Sequence, residues 1–342
     1  EPYPFYASNY PPVFHVLQVP FVWVFGPAYW YGRLLGFLGT LVTAYAIGFA
    51  VYRDGVRRGT GGHRLVALMA GLAFLASNFI YHIGPLNRQH MTMVMFETLA
   101  VVILAYSDTI ESRTTRRRTL ALGLGLLIIG GYTKQLAAFS AVAVLLWMFL
   151  RNPRRAIGWG VLFALVGGAI FAWMTWATDG EWWRQAILAN VNQTRFDQVA
   201  GLFRLWFSLH GWLIVPAVLL CLYELYFERI SLYFVWFTLT TLLGGVSSGT
   251  WGGGDSYFAT SIAAACILSG IFFSRWLRGD FIFGADVYLT RAVRPLRPLA
   301  PLITRAALII VPLLFLAYGR AVLHMPTQGA GFEAIARVLN IT

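Results

Sequence analysis

Charge is what this sequence has least of. Asp, Glu, Lys and Arg make up 12% of its 342 residues, about half the roughly 25% of an ordinary soluble domain. Lysine is almost missing: Lys134 stands alone among 26 basic residues. The two cysteines, Cys221 and Cys266, lie inside apolar runs and read as small buried hydrophobes, which excludes a disulfide framework and a thiolate metal site. There are no internal repeats or low-complexity tracts, and no Gly-rich stretch ends in the Gly-Lys-Ser/Thr of a nucleotide P-loop.

What is present is apolar. Hydrophobic residues make up 58% of the chain, aromatics 16%, and the mean hydropathy is +0.65. Apolar segments fall at about 28–52, 64–81, 90–107, 119–131, 134–150, 156–178, 206–227, 230–248, 257–274 and 302–324. Most approach the roughly 20 residues that cross a bilayer. The segment 119–131 is short and runs into Gly130-Gly131, so it is either an incomplete span or a broken helix. The expected architecture is all-α, a polytopic transmembrane helical bundle of about ten spans.

The formal charge of +12 sits in short arginine blocks between apolar runs, a pattern of membrane orientation and not of nucleic-acid binding. Arg53, Arg57, Arg58 and Arg64 flank one connection, and Arg113, Arg116, Arg117 and Arg118 crowd the next but one. Arg151, Arg154 and Arg155 follow, then Arg229, then Arg275, Arg278, Arg291, Arg294 and Arg297. Ten spans put all five blocks on one side, which the positive-inside rule makes cytoplasmic. The stretch Pro11 to Phe25 has about fifteen residues and contains Pro20; it is expected to lie on the outer face as a juxtamembrane helix. The connection 275–301 reads as a surface linker, and 179–205 as the longest external loop.

Cations that remain on the outer side are costly unless water, a carboxylate or an anionic ligand meets them. They are Arg33, Arg88, Lys134, Arg184, Arg195, Arg204 and Arg320. For any one of them, snorkelling to lipid headgroups is the plain alternative. Arg33, Arg88 and Lys134 each stand where a helix meets an external turn, so three groups could converge on one phosphate. The turn from His82 to His90 is densely polar, and Glu97 follows inside the next helix either as a functional acid or as a structural group bonded to a neighbouring helix. The turn from Gly244 to Tyr257 is Gly-rich with Asp255 as its lone carboxylate: a close-approach surface for sugar or phosphate, or a flexible loop with a capping Asp255. Residues 190–197 carry amides between Trp182, Trp183 and Phe196, suited either to carbohydrate or to an interfacial aromatic belt.

In their order these pieces resemble the polytopic GT-C glycosyltransferases, specifically the bacterial branch of protein mannosyltransferases and lipid A aminoarabinose transferases, related to family 39. The likeness begins with Tyr10-Pro11-Pro12 and His15, Phe25-Gly26-Pro27 and Arg33-Leu34. It continues through Asn87-Arg88-Gln89-His90-Met91, where relatives show an Arg-x-Asp turn, and Tyr132-Thr133-Lys134-Gln135. It ends with Trp251-Gly252-Gly253-Gly254-Asp255-Ser256-Tyr257-Phe258.

The resemblance implies a GT-C-like fold and transfer of a sugar from a polyprenyl-phosphate donor to a glycan, lipid or protein acceptor at the extracytoplasmic face. Residues 1–342 would form one transmembrane glycosyltransferase-like domain. The family's acidic catalytic residue lies in the first external loop, which places it ahead of Glu1, in a region this chain is expected to lack together with the first span; Asp255 is the candidate within the chain. Arg33, Arg88 and Lys134 would bind the donor phosphate. Tyr10, His15, His90, Gln135, Asn190, Asn192 and Tyr257 would contact donor, sugar or acceptor. No cofactor is required; a divalent cation is allowed for, but no ligand cluster calls for one. Membrane lipids are expected partners and nucleic acid is not. With 25 arginines to one lysine the gene reads as GC-rich and bacterial, and the location as the inner membrane with the site on its periplasmic side. The rival readings are a transporter or flippase of lipid-linked sugars, and a catalytically inactive membrane scaffold.

Overall fold

The structure, a computed structural model, describes residues 10–59, 62–250 and 252–281, with isolated helical residues between 302 and 313. Among these residues there is no strand; helices carry the whole fold. Pro11 to Phe25 forms two short helices, α1 (Val13–Val16) and α2 (Val19–Phe25). They leave Trp23 84% and Val24 72% exposed, as an interfacial element would present apolar rings to lipid. The long α3 (Trp30–Arg57) follows, then α4 (Arg64–Ala76), α5 (Asn78–Ile83), α6 (His90–Leu104) and α7 (Arg113–Gly131). The second half comprises α8 (Ala138–Arg151), α9 (Pro153–Ala177), the short α10 (Glu181–Ala186), α11 (Phe196–Phe227), α12 (Leu232–Ser247) and α13 (Ala259–Arg278).

Nine of the ten expected spans correspond to helices; the tenth, 302–324, and Arg320 lie outside the described residues, apart from a few positions. Five elements (Trp30–Arg57, His90–Thr109, Pro153–Ala177, Phe196–Phe227 and Asp255–Arg278) are long and apolar enough to cross a membrane, and four more are shorter apolar helices. With outward faces of Leu, Phe, Trp and Val, for example Leu165 at 65% and Trp176 at 79% exposed, the chain is a multi-pass membrane bundle whose solvent is lipid.

Three boundaries differ from the sequence reading, each for a physical reason. The doubtful segment 119–131 belongs to the complete 19-residue helix α7, begun by Ser112, whose side chain accepts from Thr115 N at 3.4 Å. Its first turns hold four arginines, which hydropathy discounts although arginine is a good helix former that can snorkel. The segment 64–81 breaks between α4 and α5 at Ser77, which is extended (φ −60°, ψ 128°). The supposed loop 179–205 is mostly helical: α10, a 3-10 turn at Leu188–Asn190 and the first turns of α11 occupy it.

Helix direction alternates through the bundle. α3, α6, α8, α11 and α13 finish at one end, where α4, α7, α9 and α12 begin. That end collects Arg57, Arg58, Arg116, Arg151, Arg229 and Arg275 around a single cavity, so arginine blocks from all five connections share one face. The centre of the bundle is α13, packed against α3, α4, α6, α11 and α12 and buried without interruption from Ala259 to Ile271. Small residues make this possible: a Cβ added at Gly270 would meet Val51 at 2.6 Å and Ala70 at 2.9 Å. On α9, by contrast, only Ala156 and Met174 are buried.

Candidate functional site

The end opposite the arginines is assembled from four turns. The first, residues 84–90, lies directly on α3, and glycines permit the approach: a Cβ at Gly36 would stand 2.9 Å from Leu86 O and 3.0 Å from Gly84 O. This contact fixes the backbone that carries Arg88 and His90. The second, residues 132–134, closes the top of α7, with Lys134 N donating to Gly130 O at 2.9 Å. The juxtamembrane segment is clipped to it, since Val13 N donates to Tyr132 O at 3.0 Å, and this brings Tyr10 over the lysine.

Lys134 is the centre of the arrangement. It is 2% exposed, with Nζ 2.5 Å from His90 Nε2 and 4.9 Å and 5.1 Å from the ring centroids of Tyr10 and Tyr257. An ammonium only donates, so His90 Nε2 accepts, which leaves the ring neutral with its proton on Nδ1. Ser256 Oγ, 3.0 Å from the same nitrogen, then donates as well. Nδ1 is a buried donor without a hydrogen-bond partner. Among the described residues no carboxylate pairs with Lys134. Burial, with the like charge of Arg88 added, pushes its ammonium down to about 7. Arg88 itself is exposed.

Residues 181–198 and the Gly-rich turn 244–258 form one cap beside this cluster. Thr194 and Thr250 make an isolated antiparallel bridge, Arg195 N donates to Gly249 O at 2.9 Å, and Gln198 Nε2 donates to Ser248 O at 2.9 Å. Gln135 Nε2 donates to Ala186 O at 3.0 Å, and Trp182 stacks on Tyr132. The cap is thereby tied to the Lys134 turn.

The residues singled out from sequence divide into three groups. Tyr10, His90, Lys134 and Tyr257 come together, with Arg88 near enough to act on Lys134 and His90 electrostatically. Asp255 precedes Ser256 in the same 3-10 turn, half-buried and in no ion pair with a described residue. Gln135 and Asn190 sit nearby but spend amide hydrogens on the scaffold, Asn190 Nδ2 bonding Ala186 O at 3.0 Å. His15, Arg33 and Asn192 stand apart with exposed side chains. The reason for Arg33 is rotational: Gly32 faces Asn87, and the next residue on a helix is turned about 100° away. Three Arg–Lys cations therefore do not converge; Arg88 acts on the buried Lys134 only through its charge. Of the remaining outer cations, Arg184 pairs with Glu181 and Arg195 with Asp197, each at 2.8 Å, while Arg204 is exposed. Trp251 lies outside the described residues.

Ser256 is a member of the cluster that sequence reasoning left out of the candidate site. Its signal, a hydroxyl between Asp255 and Tyr257 in a Gly-rich turn, was visible, but its partner His90 is 166 residues away. Glu97 resolves as structure: Ser140 donates to one carboxylate oxygen at 2.6 Å and Thr260 to the other at 2.7 Å, while Trp236 Nε1 donates to Ser140. This network locks α6, α8, α12 and α13 together. Among the described residues no group of three or more His, Cys, Asp or Glu is placed to hold a metal ion.

At the arginine-rich end charges are matched differently. Arg58 donates to both oxygens of Glu228, at 3.1 and 2.8 Å. Arg275, 4% exposed, bridges Asp54 at 3.3 Å and Glu228 at 3.2 Å. These pairs tie the ends of α3, α11 and α13.

No protein-family model and no curated protein sequence matches the chain. Among solved structures, the chain is similar to ArnT from Cupriavidus metallidurans, crystallised with undecaprenyl phosphate, with a TM-score of 0.58 at 14% identity. The superposition covers 90% of this chain and 62% of that one. The chain thus shares the fold of that structure and spans less than two thirds of its length.

Proposed function

We propose that this chain belongs to a membrane glycosyltransferase that takes a sugar from a polyprenyl-phosphate donor and passes it to a lipid, glycan or protein acceptor. The observation that carries the reading is Lys134, a buried cation whose described partners are an imidazole lone pair, a pair of tyrosine faces and the neighbouring positive charge of Arg88. Two like charges with no carboxylate partner among the described residues favour an anion as their ligand. The ArnT fold, solved there with a polyprenyl phosphate, supports a phosphorylated lipid as that anion.

In this reaction the acceptor hydroxyl oxygen attacks the anomeric carbon as the bond to the phosphate oxygen breaks. The electron pair leaves with the polyprenyl phosphate, and the acceptor's proton passes to a carboxylate base. Lys134 and Arg88 offset the charge that grows on the departing phosphate, the electrostatic contribution that usually dominates such steps. His90 holds Lys134 in place with Ser256 bonded to the same imidazole, Tyr10 and Tyr257 flank the lysine, and Asp255, in the turn with Ser256, is the candidate base within the chain. Gathering of polar groups at a helix end, and not at the midplane, supports transfer over transport. The test is incubation of the purified full-length protein with a panel of polyprenyl-phosphate sugars. Release of sugar from at least one donor is expected, and release from none overturns the assignment.

A further inference from the structure

We infer that the arginine-rich end holds a second anion site, built for a phosphate-bearing ligand and independent of the transferase reading. A cavity of about 760 Å³ opens there, lined by seven arginines against four carboxylates. Three of the arginines are matched: Arg58 and Arg275 share Asp54 and Glu228, and Arg155 meets Asp108 at 3.3 Å. Arg57, Arg116, Arg151 and Arg229 pair with no carboxylate among the described residues.

Three of those four are nevertheless fixed in position. Arg57 lies over the Tyr106 ring at 4.8 Å. Arg151 donates to Ile230 O at 2.7 Å and stacks over Trp147 at 5.7 Å, and Arg116 donates to Ile110 O at 3.4 Å. A guanidinium has five N–H donors, so each keeps most of them for a ligand, and planar forks match phosphate oxygens in pairs. An independent observation points the same way. Trp147, 4% exposed and part of the cavity wall, has an indole N–H with no hydrogen-bond partner. A buried donor left unmade is unfavourable, and an acceptor oxygen that reaches it from the cavity would remove that cost.

The volume exceeds a bare phosphate and suits a headgroup or a small phosphorylated metabolite. Basic pockets between helix ends at a membrane boundary recognise anionic lipid headgroups, whereas a soluble phosphate would enter from the aqueous side. Both present the same chemistry to the arginines.

The experiment uses the full-length protein in phosphatidylcholine nanodiscs. Binding of cardiolipin doped into the disc and of soluble inorganic pyrophosphate is measured for the parent, for an Arg116→Gln/Arg229→Gln double variant, and for Arg184→Gln at the opposite end as control. The double variant is expected to bind roughly tenfold more weakly or worse, with the control unchanged. Trp147 fluorescence is an unreliable reporter among 13 tryptophans, so Trp147→Phe is scored by the same binding assay and should weaken it less. Loss for cardiolipin alone assigns the site to a lipid headgroup, and loss for both ligands assigns it to phosphate in general. Loss for pyrophosphate alone assigns it to a soluble phosphate. Equal binding by parent and double variant, with both proteins folded by their melting transitions, overturns the inference.

Discussion

At the arginine-rich end, Arg58 and Arg275 share Asp54 and Glu228 and spend much of their charge inside the protein. At the other end Lys134 is as thoroughly buried as Arg275 but meets rings, an imidazole and a hydroxyl-bonded network in place of a carboxylate. Both arrangements tolerate a cation at a membrane boundary. The first does so by neutralising it in ion pairs that fasten helices together; the second holds it by a hydrogen bond and ring faces, which leaves the charge unneutralised and prepares a place for an anion. A cation's partners therefore say more about its role than its depth does.

The sharpest way to break the comparison is to delete the unneutralised charge. Lys134→Met keeps a long unbranched side chain under Tyr10 and Tyr257, and should cut sugar release from a polyprenyl-phosphate donor by roughly 100-fold or more, the usual loss for a transition-state charge partner. Its melting transition should stay close to the parent's, because no ion pair is lost. A milder test varies pH. With the ammonium titrating at about 7, Lys134 is charged below that value and neutral above it. A bound phosphate favours the charged form, so donor affinity should weaken as pH rises past about 7, by up to roughly tenfold per unit. The Lys134→Met variant should lose that dependence, and a flat profile in the parent would count against the lysine.

The smallest expected effect comes from the neutralised end. Glu228→Gln leaves Arg58 and Arg275 with Asp54 alone and should lower stability by about 1–2 kcal/mol, less than for a fully buried pair because Glu228 and Arg58 are partly solvated. Activity per folded molecule should not change, which separates fastening from chemistry. Arg184→Gln, removing an exposed pair with Glu181, should alter neither measurement.

Much of this was legible before any coordinates. Long apolar runs announce spans, because nothing else in a sequence demands lipid, and the five arginine blocks fixed which connections share a face. Lys134 and His90 stood out as polar residues where helices end. What was hidden depended on rotation and on distant partners. Arg33 points away because its neighbour Gly32 takes the packed face, and hydropathy has no term for that. The full length of α7 was masked by its arginines, and the helical character of 179–205 by its polarity. The Ser256 contact to His90 joins segments 166 residues apart, which no local pattern encodes.

The contrast between α9 and α13 carries a lesson about divergence. Around α9 the surrounding medium is fluid and conforms to whatever oily side chain it meets, so exchanges among Leu, Val and Phe there leave the bundle untouched. Along the buried stretch of α13 the packing is closely fitted, and at Gly270 even a methyl group would collide. Substitutions should therefore accumulate quickly on the rim and slowly on the axle, and a shared architecture can outlast nearly all recognisable likeness in letters.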